Sequence, residues 1–499
     1  MSGQIKPVNS PIRWRSCLQA FCLPDGLAAA ALCIAALSGT AIAEDATNDR
    51  PNIVLIFVDN LGNGDLACFG SKLHRTPHID RLATEGTRFT SFYVASGVCT
   101  PSRAALVTGC YPRRVNLHVS DDNSAVLRPV SPKGLNPDEM TIAESLRAAG
   151  YATACIGKWH LGDQPEYLPT RHGFDTFFGI PYSDDMTKDK RPDAWPELPL
   201  VRDETVIEAP VDRSRLIRRC TEEAIDFIER NRDRPFLVYL PHTMPGSTPH
   251  PFASEAFQGR SANGPYGDSV EELDWSTGQI MAALDRLGLE QRTLFIWTSD
   301  NGAPRREPPQ GSCAPYRGHG YDTSEGAMRM PCVMRWPGRI PRGAVNDEVC
   351  TTIDLLPTLA RLAGAPLPEQ PIDGHDIRPL LFSAAGAKSP WDEVGFCYYR
   401  MDQLQAVRAG PWKLYLPLEA KLVTNGRRAE ARGTRLFDVR NDVHEDREVA
   451  AEHPEVVARL LALADKTRAQ IGDVNRLGTG QRPAGWVDNP QPLVPEQRR

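Results

Sequence analysis

The chain carries no dense run of lysine and arginine: 57 basic against 63 acidic side chains in 499 residues leave a net charge of −6. That absence removes the electrostatic footprint of a nucleic-acid binder, so an anionic ligand has to be held by local groups. Internal repeats and low-complexity tracts are missing too. With 41% apolar and 24% charged residues, near the average for soluble globular chains, the composition argues against general disorder, collagen, coiled coil and a polytopic membrane protein. Long apolar runs are absent beyond the amino terminus. Proline is abundant, at 43 residues beside 39 glycines, and points to many ordered turns. A chain of this length can bury a large core, and α/β enzymes of this size often pair one large domain with a small one.

Lys6, Arg13 and Arg15 precede an apolar stretch, Leu27 to Leu37, that is too short to span a bilayer comfortably, and Thr40-Ala41-Ile42-Ala43 follows. Residues 1–43 therefore read as a secretory signal peptide cut near Ala43, which places the mature chain in the periplasm or outside the cell with no stable membrane span. The alternative is an uncleaved anchor, suggested by Asp25 and the long polar lead. Cleavage removes Cys17, Cys22 and Cys33 and leaves nine cysteines, an odd number where disulfides are permitted. At least one is then unpaired or chemically used. Pairing among Cys68, Cys110, Cys155, Cys220, Cys313, Cys332, Cys350 and Cys397 stays open.

Ile53 to Val58 is an unbroken apolar run that suits a central parallel strand buried on both faces, and it stops at Asp59. Tyr151 to Ile156 runs into Gly157-Lys158-Trp159-His160, Pro235 to Leu240 into Pro241-His242, and Thr293 to Thr298 towards Asp300-Asn301. Helical patterns over Thr141 to Ala149, Arg215 to Arg230 and Val270 to Leu287 alternate with them, which predicts a large doubly wound, mostly parallel α/β sheet over 50–387. Ligands in such sheets bind outside the carboxyl ends of the strands. From Lys388 the pattern shifts to short strands within Gln405 to Leu416 and Thr434 to Val439, then a helix over Pro454 to Ile471. This predicts a smaller antiparallel α+β domain over 388–477, with an irregular tail over 478–499.

After the strand-like Arg88 to Val94, Pro101 and the surrounding Ser and Thr place Cys99 at the start of a helix, where the dipole is expected to activate a thiol. Two acid-amide pairs, Asp59-Asn60 and Asp300-Asn301, form an oxygen-only donor set that suits one hard divalent ion such as Ca²⁺ and not zinc. Cys99-Thr100-Pro101-Ser102-Arg103 resembles the sulfatase signature C-x-P-x-R, whose cysteine is oxidised after translation to Cα-formylglycine. Asp59 with Leu61-Gly62-Asn63-Gly64-Asp65, Gly157-Lys158-Trp159-His160-Leu161-Gly162, Asp300-Asn301-Gly302, Glu325-Gly326 and the Trp412-Lys413-Leu414 strand recur in the same order, and the chain is identified as similar to sulfatases of the alkaline phosphatase superfamily.

The resemblance implies hydrolysis of organic sulfate esters, aryl or glycan and lipid sulfates, and a partner enzyme that generates formylglycine. Asp59, Asn60, Asp300 and Asn301 would hold the ion, which also contacts the modified Cys99. One hydroxyl of the hydrated aldehyde attacks sulfur and the other expels sulfate. His160 assists that expulsion, Arg103 holds the diol, and Lys158 binds sulfate, with His242 beside the substrate. Three positions depart from the family pattern. Asn60 stands where Asp is common, Gly246 where relatives carry the histidine that protonates the leaving oxygen, and Gly320 where they carry a sulfate-binding lysine. His250 and His319 are the expected replacements. Two other readings remain: a phosphatase or phosphonate hydrolase of the same superfamily, and a noncatalytic sulfated-glycan binder. The loops Tyr182 to Pro199 and Arg305 to Gly318 would choose the substrate.

Overall fold

In the computed structural model of the protein, residues 50–495 are described, apart from positions 308, 384, 419–422, 425, 426, 429–432 and 475. The predicted leader, 1–43, and the last four residues lie outside them. Strand β1, Asn52–Val58, is buried at every position. Its side chains alternate: Ile53, Leu55 and Phe57 enter one core, Val54, Ile56 and Val58 another, so this strand can only be central. The other strands are β2 Thr87–Tyr93, β3 Ala152–Lys158, β4 Thr176–Ile180, β5 Leu200–Arg202, β6 Thr205–Glu208, β7 Phe236–Leu240, β8 Thr293–Ser299, β9 Arg329–Arg335, β10 Ala344–Asn346 and β11 Cys350–Thr351. They run in the order β10-β2-β9-β8-β1-β7-β3-β4-β5-β6, with β11 also on β2. The stretch from β8 through β1, β7 and β3 to β4 is parallel, whereas β9 runs antiparallel to both neighbours and β5–β6 is an antiparallel hairpin.

Helices cover both faces. On one side pack α2 (Cys99–Thr108), α3 (Ile142–Ala148) and α6 (Leu355–Ala363), through Leu106, Leu146 and Leu359. On the other pack α1 (Pro77–Glu85), α4 (Leu216–Arg230) and α5 (Gly264–Arg286), through Leu82, Phe227 and Ile280. This is the predicted doubly wound sheet. Two boundaries moved. β3 runs two residues beyond Ile156 to include Lys158, and α5 starts at Gly264, not Val270, because Pro265 sits in its first turn, where the missing N–H costs nothing.

A second sheet, β12 Phe396–Arg400, β13 Gln403–Ala409, β14 Trp412–Tyr415 and β15 Arg435–Asp438, is antiparallel throughout, and α7, Pro454–Ile471, packs on it. Its core is continuous with the large sheet: Phe396, Val407 and Leu460 cluster with Tyr93, Tyr111 and Met328. Glu325, buried, fastens the junction. One carboxylate oxygen accepts from Lys413 Nζ at 2.9 Å and Tyr398 Oη at 3.0 Å, the other from Tyr93 Oη at 2.5 Å, with Arg329 and Arg408 at 3.4 and 3.8 Å. The segment 478–495 is mostly irregular yet anchored. Gly485–Trp486 pairs with Lys133–Gly134, and Arg482 meets Glu139 at 2.6 Å. All nine described cysteines are unpaired, and no helix among the described residues is long and apolar enough to cross a membrane.

Candidate active site

The carboxyl ends of β1, β8 and β3 and the first residue of α2 converge. Asp59 follows β1, Asp300-Asn301 follows β8, Lys158 ends β3, and Cys99 opens α2; all are buried. Cys99 Sγ lies 3.3 Å from Asp59 Oδ1 and 3.8 Å from Asn301 Oδ1. Arg103, one turn into α2, donates to the Lys158 carbonyl at 2.8 Å and to Asp300 Oδ2 at 2.7 Å. Lys158 Nζ reaches Asp59 Oδ2 at 2.6 Å and Ser183 Oγ at 3.3 Å. Asn60 and His160 take left-handed backbone at φ 64° and 63°, a conformation costly for such residues and held by the fold around them.

Burial alone would raise Asp59, but the Lys158 and Arg103 cations override it and hold its carboxyl low; burial and the charge of Asp59 push Asp300 up. Two buried carboxylates thus face two buried cations, and Asp300, pushed up by Asp59, is the carboxyl that a further positive charge would help to ionise. The donor set fits a hard cation. Ligand atoms of Asp59, Cys99 and Asp300 lie within 4.8 Å of one another, the Asn301 amide oxygen is 3.8 Å from Cys99 Sγ, and the Asn60 amide oxygen accepts from Asn301 Nδ2 at 2.5 Å. One expectation fails: burial and the neighbouring Asp59 push the Cys99 thiol well up. Desolvation and a like charge outweigh the helix dipole, so unmodified Cys99 is a poor thiolate nucleophile.

His160 Nε2 lies 3.0 Å from the Leu127 carbonyl, which can only accept, so Nε2 bears the proton and Nδ1 is a buried acceptor with no partner among the described residues. Burial and Lys158 hold its pKa well below the usual histidine value, so the ring is neutral. The other predicted histidines do not join this cluster. His242 is buried against Ser276 Oγ of α5 at 3.0 Å, with burial lowering it to about 3. His250 and His319 are exposed and off the cavity wall, because each sits on the outer side of a loop whose inward position is a glycine. A Cβ at Gly246 would lie 2.6 Å from Asp184 Oδ1, and one at Gly320 2.2 Å from the Gly302 carbonyl oxygen. Neither loop has room for the family's side chain, and each offers its next residue instead. Ser247 Oγ and Tyr321 Oη are 3.3 Å apart, and Asn60 Nδ2 donates to Ser247 Oγ at 3.0 Å. Asn60 and the residues that follow the two glycines therefore meet in one hydrogen-bonded chain.

A cavity of about 750 Å³ opens over Cys99, walled by His160, Ser183, Ser247, Tyr321 and Arg400. The loop 182–199 contributes Met186, Lys190, Arg191 and Trp195; the described residues of the loop 305–318 contribute none of the wall. Sequence reasoning passed over Ser247, Tyr321 and Arg400, and also Asp184, a buried acid raised to about 7 by burial and by the charges of Asp185 and Asp59. The available signal was the pair of glycines, each followed by a hydroxyl-bearing residue.

The family model described as Sulfatase matches residues 51–365, and one described as N-sulphoglucosamine sulphohydrolase, C-terminal, matches 321–469. Arylsulfatase A of Homo sapiens is 40% identical over 407 residues, covering 77% of this chain and 77% of its own length. Steryl-sulfatase of Mus musculus is 39% identical over 446 residues, covering 73% and 70%. A solved sulfatase structure from Pseudoalteromonas sp. aligns with a TM-score of 0.75 at 26% identity, over 88% of this chain and 94% of that one. The chain belongs to the sulfatase family.

Proposed function

We propose that this protein hydrolyses organic sulfate esters, with Cys99 converted to formylglycine by a maturing enzyme and Ca²⁺ held by Asp59, Asn60, Asp300 and Asn301. The observation that carries the reading is the placement of Cys99. Its thiol is buried against Asp59 and Asn301 and suppressed as a thiolate, yet it sits where every charged group of the site converges. Such a position suits an oxidised side chain better than a cysteine nucleophile. When present, the hydrated formyl group would supply a nucleophilic hydroxyl and the ion would neutralise charge on sulfate oxygens.

The chain's own residues would do the rest. Arg103, clamped between the Lys158 carbonyl and Asp300, fixes the side chain at 99. Lys158, set between Asp59 and Ser183, brings its charge towards the sulfate. His160 Nδ1, a free acceptor, takes the proton of a hydroxyl at position 99 as sulfate is expelled. Tyr321, 3.3 Å from Ser247 in the loop that lacks the family histidine, serves the leaving group in its stead. Burial and the neighbouring Cys99 keep its phenol well above the ordinary value, so it stays protonated and stabilises the departing oxygen by hydrogen bonding without giving up its proton. The leader, 1–43, would export the chain to the periplasm or beyond the cell.

Mass spectrometry of the Cys99 peptide, on protein from a host with the maturation machinery, tests the reading together with turnover of 4-nitrophenyl sulfate. Formylglycine with turnover is the expected result. Unmodified cysteine without turnover from such a host removes the hydrolase reading in favour of a binding protein.

A further inference from the structure

We propose that the substrate carries a second anionic group, a carboxylate or a second sulfate, and that Arg400 holds it. The inference rests on the hydrolase reading for the reacting sulfate and on the surroundings of Arg400 for the rest. Arg400 ends β12 and pairs with Gln403 across the two-residue turn Met401-Asp402, whose Met401 is left-handed at φ 51°. Asp402 fastens that turn: its Oδ1 accepts from Arg113 at 2.6 Å and lies 2.9 Å from His118 Nε2. The hairpin tip rests beside Val98 and Pro101, on either side of Cys99, and Arg400 and Met401 share the wall of the cavity that holds Cys99 and His160.

The guanidinium of Arg400 makes no hydrogen bond or ion pair with any described residue, and one of its terminal nitrogens is buried. Asp322, the opposing charge felt most, spends its Oδ1 on the Ser324 backbone and hydroxyl at 2.8 and 2.5 Å. Other cations on the wall are occupied. Arg128 pairs with Asp122 at 2.8 Å and Lys190 with Asp185 at 2.6 Å, while Arg191 is exposed and lies over the Trp195 ring at 5.0 Å. Arginine remains charged even when burial opposes it, and a partly buried cation left unpaired on a rigid turn is costly unless a ligand completes it. Its planar fork matches the paired oxygens of a carboxylate or sulfate. No hydrogen bond or ion pair links Arg400 to Asp59, Lys158, His160 or Asp300, so it stands apart from the groups gathered on the reacting centre.

The test uses a matched series of phenyl sulfates bearing a ring carboxylate, a second sulfate or the uncharged carboxamide at the ortho, meta or para position. With formylglycine-bearing protein, the best charged member should exceed its carboxamide counterpart by about 10-fold or more in kcat/KM. Arg400→Ala should erase that preference while changing the carboxamide by less than about 3-fold, and Arg400→Lys should restore part of it. The carboxylate and sulfate arms identify which anion the site takes. No preference in the wild type, a preference that survives Arg400→Ala, or equal loss on charged and uncharged members overturns the inference; equal loss would mean that Arg400 holds the reacting sulfate itself. If formylglycine-bearing protein turns over none of the series, the hydrolase reading fails. Calorimetric binding of the same compounds then decides the anion site: tighter binding of charged members, lost in Arg400→Ala, sustains it, and equal binding overturns it.

Discussion

Asn60 donates a hydrogen bond that an aspartate in its place would have to receive, and this exchange sets the direction of two hydroxyls above Cys99. With Asn60 Nδ2 donating to Ser247 Oγ, the Ser247 proton is free to point at Tyr321 Oη, and the Tyr321 proton is left for the cavity. An aspartate at 60 would draw the Ser247 proton towards itself, and Ser247 would then take that of Tyr321. We therefore expect Tyr321→Phe to lower kcat/KM about 100-fold for an alkyl sulfate, whose leaving oxygen needs stabilising, and less than about 3-fold for 4-nitrophenyl sulfate, which needs little. Asn60→Asp should move the same ratio in the same direction. Equal losses on both esters in Tyr321→Phe would show that the tyrosine shapes the loop and does not serve the leaving group. Ala in place of Cys99 should abolish turnover of both while leaving the thermal midpoint within a few degrees, since only a small buried thiol is removed.

Where the two sheets join, the largest single electrostatic commitment is Glu325, facing Lys413, Arg329 and Arg408 with no solvent to screen them. Burial would raise its carboxyl, and these three cations instead hold it far below the ordinary carboxylate range. A depressed folded-state value contributes stability that is complete above the unfolded glutamate value of about 4.3 and is lost as pH falls below it. Glu325→Gln should cost about 3–5 kcal/mol at neutral pH, because it strands buried cations, and should flatten the acid side of the stability profile. Urea denaturation at pH 7, 5, 4 and 3 checks both, and a variant with the wild-type acid slope would remove Glu325 from that role. The strands feeding this junction were legible to different degrees. β1, β7 and β8 centre on apolar runs that are followed within two residues by Asp or His, and their ends lie within a residue or two of the sequence reading. β12 was not marked because Phe396 to Arg400 mixes aromatics with Cys and Arg, and its burial comes from Tyr93, Tyr111 and Trp391. The site divides the same way. Cys99 and the acid-amide pairs occupy a helix start or strand ends and stand out from local pattern, whereas Arg103 and Lys158 are marked only by the sulfatase resemblance. Ser247, Tyr321 and Arg400 reach the cavity only because Gly246, Gly320 and the 401–402 turn pack against distant backbone and side chains.

Over the whole molecule, the oxygen cluster is assembled from positions 59, 60, 300 and 301 just past the carboxyl ends of the neighbouring strands β1 and β8, so the unfolded chain cannot gather it. An ion that binds only the folded state stabilises by mass action, about 2.7 kcal/mol at one hundred times its dissociation constant. The cluster also has cations of its own, however. Arg103 and Lys158 already set two positive charges against Asp59 and Asp300, which distinguishes it from small metal domains that unfold without their ion. Chelated protein should therefore remain folded and cooperative, with a thermal midpoint lower by a few degrees that added Ca²⁺ restores. Asp300→Asn should abolish the response to calcium, since it removes a charged ligand and leaves Arg103 with one carboxylate at 3.7 Å. Identical melts with chelator and with saturating Ca²⁺, on protein verified to carry formylglycine, would remove calcium from the reading. Unfolding on chelation would instead mean that Arg103 and Lys158 do not balance the carboxylates, and would overturn the charge pairing argued for Asp59 and Asp300.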